Sequence, residues 1–368
     1  MLKLKVCLAA VFLILISCAS EPEKSFDLKR VSFKELPGWR QDSLTEAMPA
    51  LLKSCAAPSP EWENFCAGLL RVQDRPDRQI RTYLEAMLVP YEVHSYGHAQ
   101  GTFTGYYEAS LHGSFIKDEK NNVPLYGLPE DLVKLDTKTV CAPGGDKGTV
   151  MGRIENGKFQ PYLTRAEIEQ QSVNAPVLLW VDNAVDAFIL HIQGSGRVET
   201  EQGVVHVGYA GNNGHPFQGI GGIMAKEGLL EPGKSSMPHI RAWLQQNPEK
   251  AQDLMAQNPR FIFFRILPEA DGPMGAAGVT LTPERSLAVD PRFIPLGTPL
   301  YLVTTDPDGQ SVEKLVVAQD IGSAIKGAVR GDYFWGYGEK AFQKAGRMKS
   351  SGRYYLLWPK GQTPPTSF

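Results

Sequence analysis

Apolar positions recur along this chain first at helix spacing and then at strand spacing. Leu44, Ala47, Met48, Leu51, Leu52 and Cys55 fall three and four residues apart, which lines up one helix face. Ser43 and Glu46 ahead of them carry a capping-box signature, in which two side chains satisfy two backbone N–H groups at a helix start. Pro49 predicts a shortened or bent helix, because its ring removes a backbone donor. A second stripe, Ile80, Tyr83, Leu84, Met87 and Leu88, predicts another helix that Pro90 ends. Residues 43–90 therefore read as the helical part.

From Gly101 to about Pro259 the texture changes to short apolar runs between glycine-rich turns. Val177–Trp180 and Ala187–Ile192 read as strands, with one helical patch near Ile240–Met255. This middle part is predicted to be a β domain. Beyond it, Phe261–Ile266, Thr298–Val303, Leu315–Ala318 and Arg353–Trp358 are rich in β-branched and aromatic residues. Short strands of this kind, punctuated by Pro and Gly, predict a small barrel. No internal repeat or low-complexity tract is evident.

Composition sharpens this picture. The chain has 368 residues, 36 Gly and 27 Pro, which favours turn-rich β structure in two domains. A net charge of −2 without blocks of like charge argues against nucleic acid, because phosphate binding needs a basic footprint. A neutral polymer such as a glycan suits this balance.

The amino terminus indicates the compartment. Lys3 and Lys5 precede an almost wholly apolar run, Val6–Ile16. A membrane span needs about 20 apolar residues, so the run fits a secretory signal instead. Leu15-Ile16-Ser17-Cys18 resembles the bacterial lipobox, whose cysteine is acylated and becomes the new amino terminus. An ordinary signal peptide with an incidental cysteine is the alternative. The lipobox reading makes residues 1–17 a signal peptide and residues 18–30 a lipidated tether. Acylated Cys18 would then hold the protein on a lipid membrane. Ala19 in place of Asp implies delivery to the outer membrane, facing the periplasm. In that oxidising compartment Cys55 and Cys66 could form a disulfide or remain two buried thiols, with Cys141 left unpaired.

The segment richest in chemistry is Ala318–Gly336. Asp320 ends a strong strand and Asp332 follows one loop later, among glycines that let backbone and substrate approach closely. Tyr333, Phe334 and Trp335 come next. Carboxylates beside aromatic surface suit carbohydrate cleavage, which needs an acid for the leaving oxygen and flat faces for sugar rings. Aspartates in glycine-rich loops also serve as turn formers. His94 and His98 have i, i+4 spacing that can bind zinc on a helix, but Gly97 lies between them and no third ligand is obvious. Gly194, Gly196 and Glu199 lack the last glycine of a dinucleotide fingerprint, Gly144–Thr149 lacks the order of a P-loop, and Ser195 lacks a nucleophile elbow.

The stretch Gly278–Thr298, taken with the Asp320 segment, resembles the three-Asp double-psi β-barrel domain of cell-wall-active proteins, with Asp290, Asp320 and Asp332 on its acidic positions. A longer resemblance takes in Gly105-Tyr106-Tyr107-Glu108, Leu163–Ile168, Gln193-Gly194-Ser195-Gly196-Arg197, Gly208–Gly214 and the tail Gly338–Lys360. It is to the membrane-bound lytic murein transglycosylase A family, and it covers nearly all of the mature chain. Gly322-Ser323 stands where the family motif has two glycines.

This resemblance implies a mainly β protein with some helices. Residues 31–105 and 260–368 would form a helical segment plus double-psi barrel, and residues 106–259 an inserted β domain, with a glycan groove between them. It implies cleavage of the MurNAc–GlcNAc β-1,4 bond of peptidoglycan without water, leaving 1,6-anhydro ends. Asp332 would be acid and base, Asp320 its catalytic assistant. Thr104, Tyr106, Gln193, Ser195, Gly196, Asp290, Lys326 and Trp335 would bind substrate. Such chemistry uses no cofactor and no metal. The aromatic run and Asp320 would raise the Asp332 pKa, while Lys326 and Arg330 would lower it if they face the same point. The rivals are an inverting hydrolase, with Asp332 as acid and Asp320 as base, and a non-catalytic glycan-binding lipoprotein. No protein partner is indicated.

Overall fold

Strand β1 (Phe26–Arg30) opens the part of the chain described by the computed structural model, which covers residues 26–136, 149–171, 173–231, 233–268, 272–322 and 324–365. The signal region, Cys18, Cys141 and Ser323 lie outside those residues. The predicted tether is thus too long at its far end. Residues 26–30 pair antiparallel with a later strand, because Phe26 and Leu28 alternate onto the barrel core.

Helix α1 (Leu44–Ser54) follows the first apolar stripe and runs on through Pro49, which lies on its exposed face. The expected capping box is not formed. Ser43 makes no side-chain cap, and Glu46 instead accepts from Arg285 Nη2 at 2.9 Å. Helices α2 (Glu63–Val72) and α3 (Asp77–Met87) complete this part. A disulfide between Cys55 and Cys66 ties the end of α1 to α2. The helix of the second apolar stripe ends at Met87, before Pro90 is reached, and the chain continues as strand β2 (Leu88–Ser95), so Leu88 and Pro90 belong to the strand and not to the helical run. His94 therefore sits in a strand, where it meets Glu92 at 2.9 Å, and His98 lies beyond the following turn, so the pair shares no helix.

Strand β3 (Gly101–Ser114) is long and serves both halves of the molecule. The middle part continues with β4 (Val123–Tyr126), β5 (Val133–Asp136), β6 (Thr149–Glu155), β7 (Lys158–Pro161), α4 (Arg165–Gln170), β8 (Val177–Val181), α5 (Ala184–Gln193), β9 (Gly196–Thr200) and β10 (Gly203–Asn212). Then come α6 (Ile220–Lys226), α7 (Met237–Gln246), α8 (Pro248–Ala256) and β11 (Ile262–Ile266). Two expectations change here. Ala187–Ile192 is helix, not strand. Asn183 caps it by accepting from Val185 N and Asp186 N, and Gly194 ends it in the left-handed region. A short unbroken apolar run looks alike as buried strand and buried helix, so spacing alone cannot separate them. The other change concerns β11, which was placed with the barrel segment. It pairs with β10 and buries Ile262 and Phe264 in the core of the middle part.

The remaining elements are β12 (Ser286–Val289), β13 (Pro299–Thr305), β14 (Ser311–Ile321), β15 (Arg330–Tyr337), α9 (Gly338–Arg347) and β16 (Lys349–Pro359). Strand β16 pairs with β13, and β13 with β14. Strand β14 runs parallel to β12, β12 antiparallel to β15, and β15 parallel to β3. Strand β3 then returns to β16, so the strands close into a barrel and leave no open edge among themselves. Leu44, Leu51 and Leu84 of the helices share one core with Phe103, Leu300, Val316 and Leu356 of the barrel. Buried Arg285 links the two by bonding Asp42, Glu46 and the carbonyls of Ser43 and Leu315.

Beyond Glu108, strand β3 leaves the barrel and runs parallel to β9, with Ala109 opposite Gly196. The protein is thus mainly β, with a barrel part and a middle part joined through one continuous strand.

Candidate active site

The two carboxylates meet across a single alanine. Ala288 of β12 lies opposite Asp320 of β14 on one side and opposite Asp332 of β15 on the other. Residues in register on neighbouring strands point to the same face, and strands lie about 4.8 Å apart, so the two aspartate Cα atoms are about 10 Å apart on one face. A β-bulge delivers Asp320 to this place. Between Leu287 and Ala288 the partner steps from Ala318 to Asp320, leaving Gln319 extra. Gln319 is fully buried, where it accepts from Ser286 Oγ at 2.6 Å and donates to Ala50 O at 2.9 Å and Ser54 Oγ at 2.8 Å. Locking Gln319 inward in this way sets Asp320 on the face that Asp332 shares.

Strand β3 supplies the partners. Thr104 lies opposite Asp332, and its hydroxyl donates to Asp332 Oδ1 at 2.6 Å. Arg330 Nη2 donates to the same hydroxyl at 2.8 Å, so Thr104 relays the guanidinium's polarisation to the carboxylate. Two residues on, the Tyr106 hydroxyl donates to Asp320 Oδ2 at 3.1 Å, while Ala276 N donates to Oδ1 at 3.0 Å. Burial pushes the Asp332 pKa up. The Thr104 hydrogen bond and the Arg330 charge oppose that rise, and the charge on Asp320 adds to it. Burial also raises Asp320, against bonds from Ile321, Ala276 and Tyr106. Tyr106 is raised well above the usual tyrosine range, by burial first and then by both aspartates, so it stays a donor. Of the cations expected to act on Asp332, Arg330 does so, whereas Lys326 is exposed and is not among the groups that shift it.

The other predicted residues fall into distinct places. Asp290 is only 1% exposed and accepts from Arg292 Nη2 at 2.6 Å, Arg292 Nε at 3.0 Å and Gly327 N at 2.8 Å. Those bonds hold its pKa down at about 2 despite burial. Its oxygens are taken up by Arg292 and by Gly327 of the loop that carries Lys326. Gln193, at the end of α5, is exposed, and Ser195 is half-buried in the following turn. Gly196 is buried beside β3, where an added Cβ would come within 2.6 Å of the Ala109 carbonyl. It is needed for that close approach. The turn lies about 16 Å along β3 from Thr104, at about 3.3 Å per residue.

Trp335 is not where the aromatic run suggested. Successive side chains of a strand alternate between faces, so Tyr333 and Trp335 point away from Asp332. Their rings meet edge-on at 4.9 Å, and Trp335 packs on the barrel core. Phe334, on the Asp332 face, is buried against Tyr106 at 5.1 Å. The structure therefore brings together Asp332, Asp320, Thr104 and Tyr106, with Arg330 behind them. It adds a buried group that was not singled out. Glu108 accepts from Arg197 Nε at 2.9 Å and bonds His206 Nδ1 at 2.9 Å. The one signal for it was Glu108 in the stretch Gly105–Glu108, where a lone acidic residue carries no hint of partners. A large cavity of about 920 Å³ opens elsewhere, among α4, α5 and α8, and includes none of the residues predicted to be functional.

Residues 102–265 match the family described as MltA specific insert domain, and residues 285–358 the family described as 3D domain. Membrane-bound lytic murein transglycosylase A of Vibrio cholerae is 31% identical over 275 residues, covering 71% of this chain and 67% of that protein. The crystal structure of MltA from Neisseria gonorrhoeae (monoclinic form) is 35% identical, with TM-score 0.82 and coverage of 92% of this chain and 94% of that one. The lytic transglycosylase LtgG of Burkholderia pseudomallei is 39% identical, with TM-score 0.70 and coverage of 93% and 99%. With its barrel, its insert and these relatives in agreement, the chain belongs to the membrane-bound lytic murein transglycosylase A family.

Proposed function

We infer that this chain is a peptidoglycan lytic transglycosylase, and we propose that Asp332 is its acid and its base. The observation that carries the assignment is a half-buried carboxyl whose pKa is raised, so that it can hold a proton, while Thr104 fixes its orientation. Protonated Asp332 gives its proton to the oxygen of the MurNAc–GlcNAc bond. The C1–O bond breaks and an oxocarbenium-like centre forms at C1 of MurNAc. The Asp332 carboxylate then takes the proton from the C6 hydroxyl of the same sugar, whose oxygen closes on C1. The products are a free 4-hydroxyl and a 1,6-anhydro ring, and Asp332 ends protonated as it began. Because the nucleophile is already attached, well-aligned attack gains roughly 7–11 kcal/mol from proximity.

Asp320 assists by charge and position. Its oxygens already accept from Tyr106 and Ala276, which makes it the more occupied of the two. One feature favours a second reading. Aspartates two strands apart suit the separation of about 6.5–9.5 Å between carboxyl groups that an inverting hydrolase uses to hold water. Digestion of purified sacculi followed by mass spectrometry separates the two, since an anhydro product is one water lighter than a hydrolytic one. Reducing ends on every fragment would refute the lyase.

The barrel, with the helices in front of it, is proposed as the catalytic domain of double-psi type, and the parallel pairing of β12 with β14 supports that reading. The part from 106 to the end of β11 is the insert, and the glycan groove follows the face of β3 that carries Thr104 and Tyr106. Gln193 and Ser195 are proposed as sugar contacts farther along it. Acylated Cys18 is proposed to hold the protein at the outer membrane. Among the described residues no helix is long and apolar enough to cross a membrane, and the relative from Vibrio cholerae is named membrane-bound.

A further inference from the structure

We propose that Tyr337 is a sugar-stacking platform of the glycan groove, a subsite beyond the pair of sugars that straddles the broken bond. The inference rests on the glycan-cleaving reading above. It starts from register. Asp332 lies opposite Thr104, Phe334 opposite Tyr106, and Tyr337 opposite Glu108. Strand β15 thus advances three residues where β3 advances two. Such a bulge reverses the alternation, and Tyr337 returns to the face of Asp332 that Trp335 leaves. Gly336 makes the bulge possible with φ of 95°, in the region that favours glycine, and an added Cβ there would come within 2.9 Å of Pro283.

The ring is held, yet it is not part of a core. Tyr337 is 52% exposed and belongs to none of the hydrophobic clusters. The Arg197 guanidinium lies 3.6 Å from its ring centroid and covers one face. Arg197 is itself buried and fixed by Glu108, which His206 holds from the other side. Three buried charged or polar groups thus orient one exposed aromatic ring. A ring clamped on one face and open on the other is the arrangement that stacks on the flat C–H face of a pyranose. Its position fits the groove. Tyr337 lies about 13 Å along β3 from the Asp332–Thr104 pair, at about 3.3 Å per residue. Arg197 directly follows the Gln193–Gly196 turn, so Tyr337 stands between the acids and that turn.

The test measures affinity for β-1,4-linked N-acetylglucosamine hexasaccharide and disaccharide by calorimetry, in the Asp332→Asn protein so that neither is cleaved. Tyr337→Ala should weaken hexasaccharide binding roughly fivefold to tenfold, the range of one aromatic contact, and leave disaccharide binding unchanged. Tyr337→Phe should bind like the parent, because stacking needs the ring and not the hydroxyl. Tyr337→Leu keeps apolar bulk without a flat ring and should weaken binding like Ala; it decides the matter if Tyr337→Ala does not fold. Equal hexasaccharide affinity in Tyr337→Leu and the parent would overturn the subsite, as would a Tyr337→Phe loss as large as the Leu loss. Failure of the parent itself to bind the hexasaccharide would instead overturn the glycan reading, and the subsite with it.

Discussion

Replacing Asp332 by Asn changes two atoms' chemistry and almost nothing of their shape. The amide oxygen can still accept from Thr104, and the residue keeps its place opposite Ala288. What it loses is the proton that it gives to the leaving oxygen and the basic oxygen that takes one back. Each such proton transfer is typically worth about 10²–10⁴ in rate, and one residue supplies both here, so turnover should fall by at least about 10⁴. Glycan binding should survive. Stability should move the other way. The Asp332 pKa is raised in the folded protein, so its stabilising state is the protonated one. That stability is complete below the unfolded pKa, near 3.9, and is lost as pH rises through the folded value. The Asn variant escapes this loss. It should melt above the wild type at neutral pH, with the gap closing as pH falls towards about 4. In the wild type, activity should fall as pH rises through the same raised pKa, because the acid form does the first step. The assays are release of soluble fragments from sacculi, read by mass, and thermal melts at several pH values. An Asn variant that still releases anhydro fragments would remove Asp332 from the centre of the mechanism.

Asp320→Asn should slow turnover less than Asp332→Asn if Asp320 only positions and polarises; equal loss on sacculi, with reducing ends from the wild type, would make it the base of a hydrolase. Asp42→Ala should cost about 3 kcal/mol in denaturant melts, because it removes the buried carboxylate partner of Arg285, leaving only the exposed Glu46 carboxylate, and removes the acceptor of Leu315 N. Replacing both Cys55 and Cys66 by Ser should cost about 3 kcal/mol or less, since the bridge closes a short loop with a sequence separation of 11. Cys18→Ala should block labelling by radioactive fatty acid and release the protein from outer-membrane fractions, and label still entering the variant would refute the anchor.

Much of the candidate site could be read without coordinates, because Asp320 and Asp332 sit where glycine and strand-forming residues crowd together. The motifs around them also ran long enough to point to a family. What could not be read was direction. Tyr333, Phe334 and Trp335 formed one promising run, yet the pleat of β15 sends the first and third into the barrel and buries the second. The bulge that restores Tyr337 to the working face depends on pairing with β3, more than 220 residues away in the chain. Asp290 had the right identity, but its oxygens turned out to bind Arg292 and Gly327, a geometry that spacing does not encode. Glu46 was well placed for a local cap and was drawn off by Arg285, a partner 239 residues distant. In α5, Asn183 and Gly194 form the two caps, while the apolar run between them suits strand and helix alike.

Strand β3 has a mechanical consequence. It acts as one beam, hydrogen-bonded to β15 and β16 at one end and to β8 and β9 at the other. A second tie runs from Arg241 to Asp186 on one side and to Glu339 on the other, at 2.6 and 2.8 Å. Swinging the walls apart would load ladder bonds worth about 1 kcal/mol each and a half-buried ion pair. Displacing either wall therefore pulls on the same strand that carries Thr104 and Tyr106, so a load on the middle part is felt at the hydroxyls that hold Asp332 and Asp320.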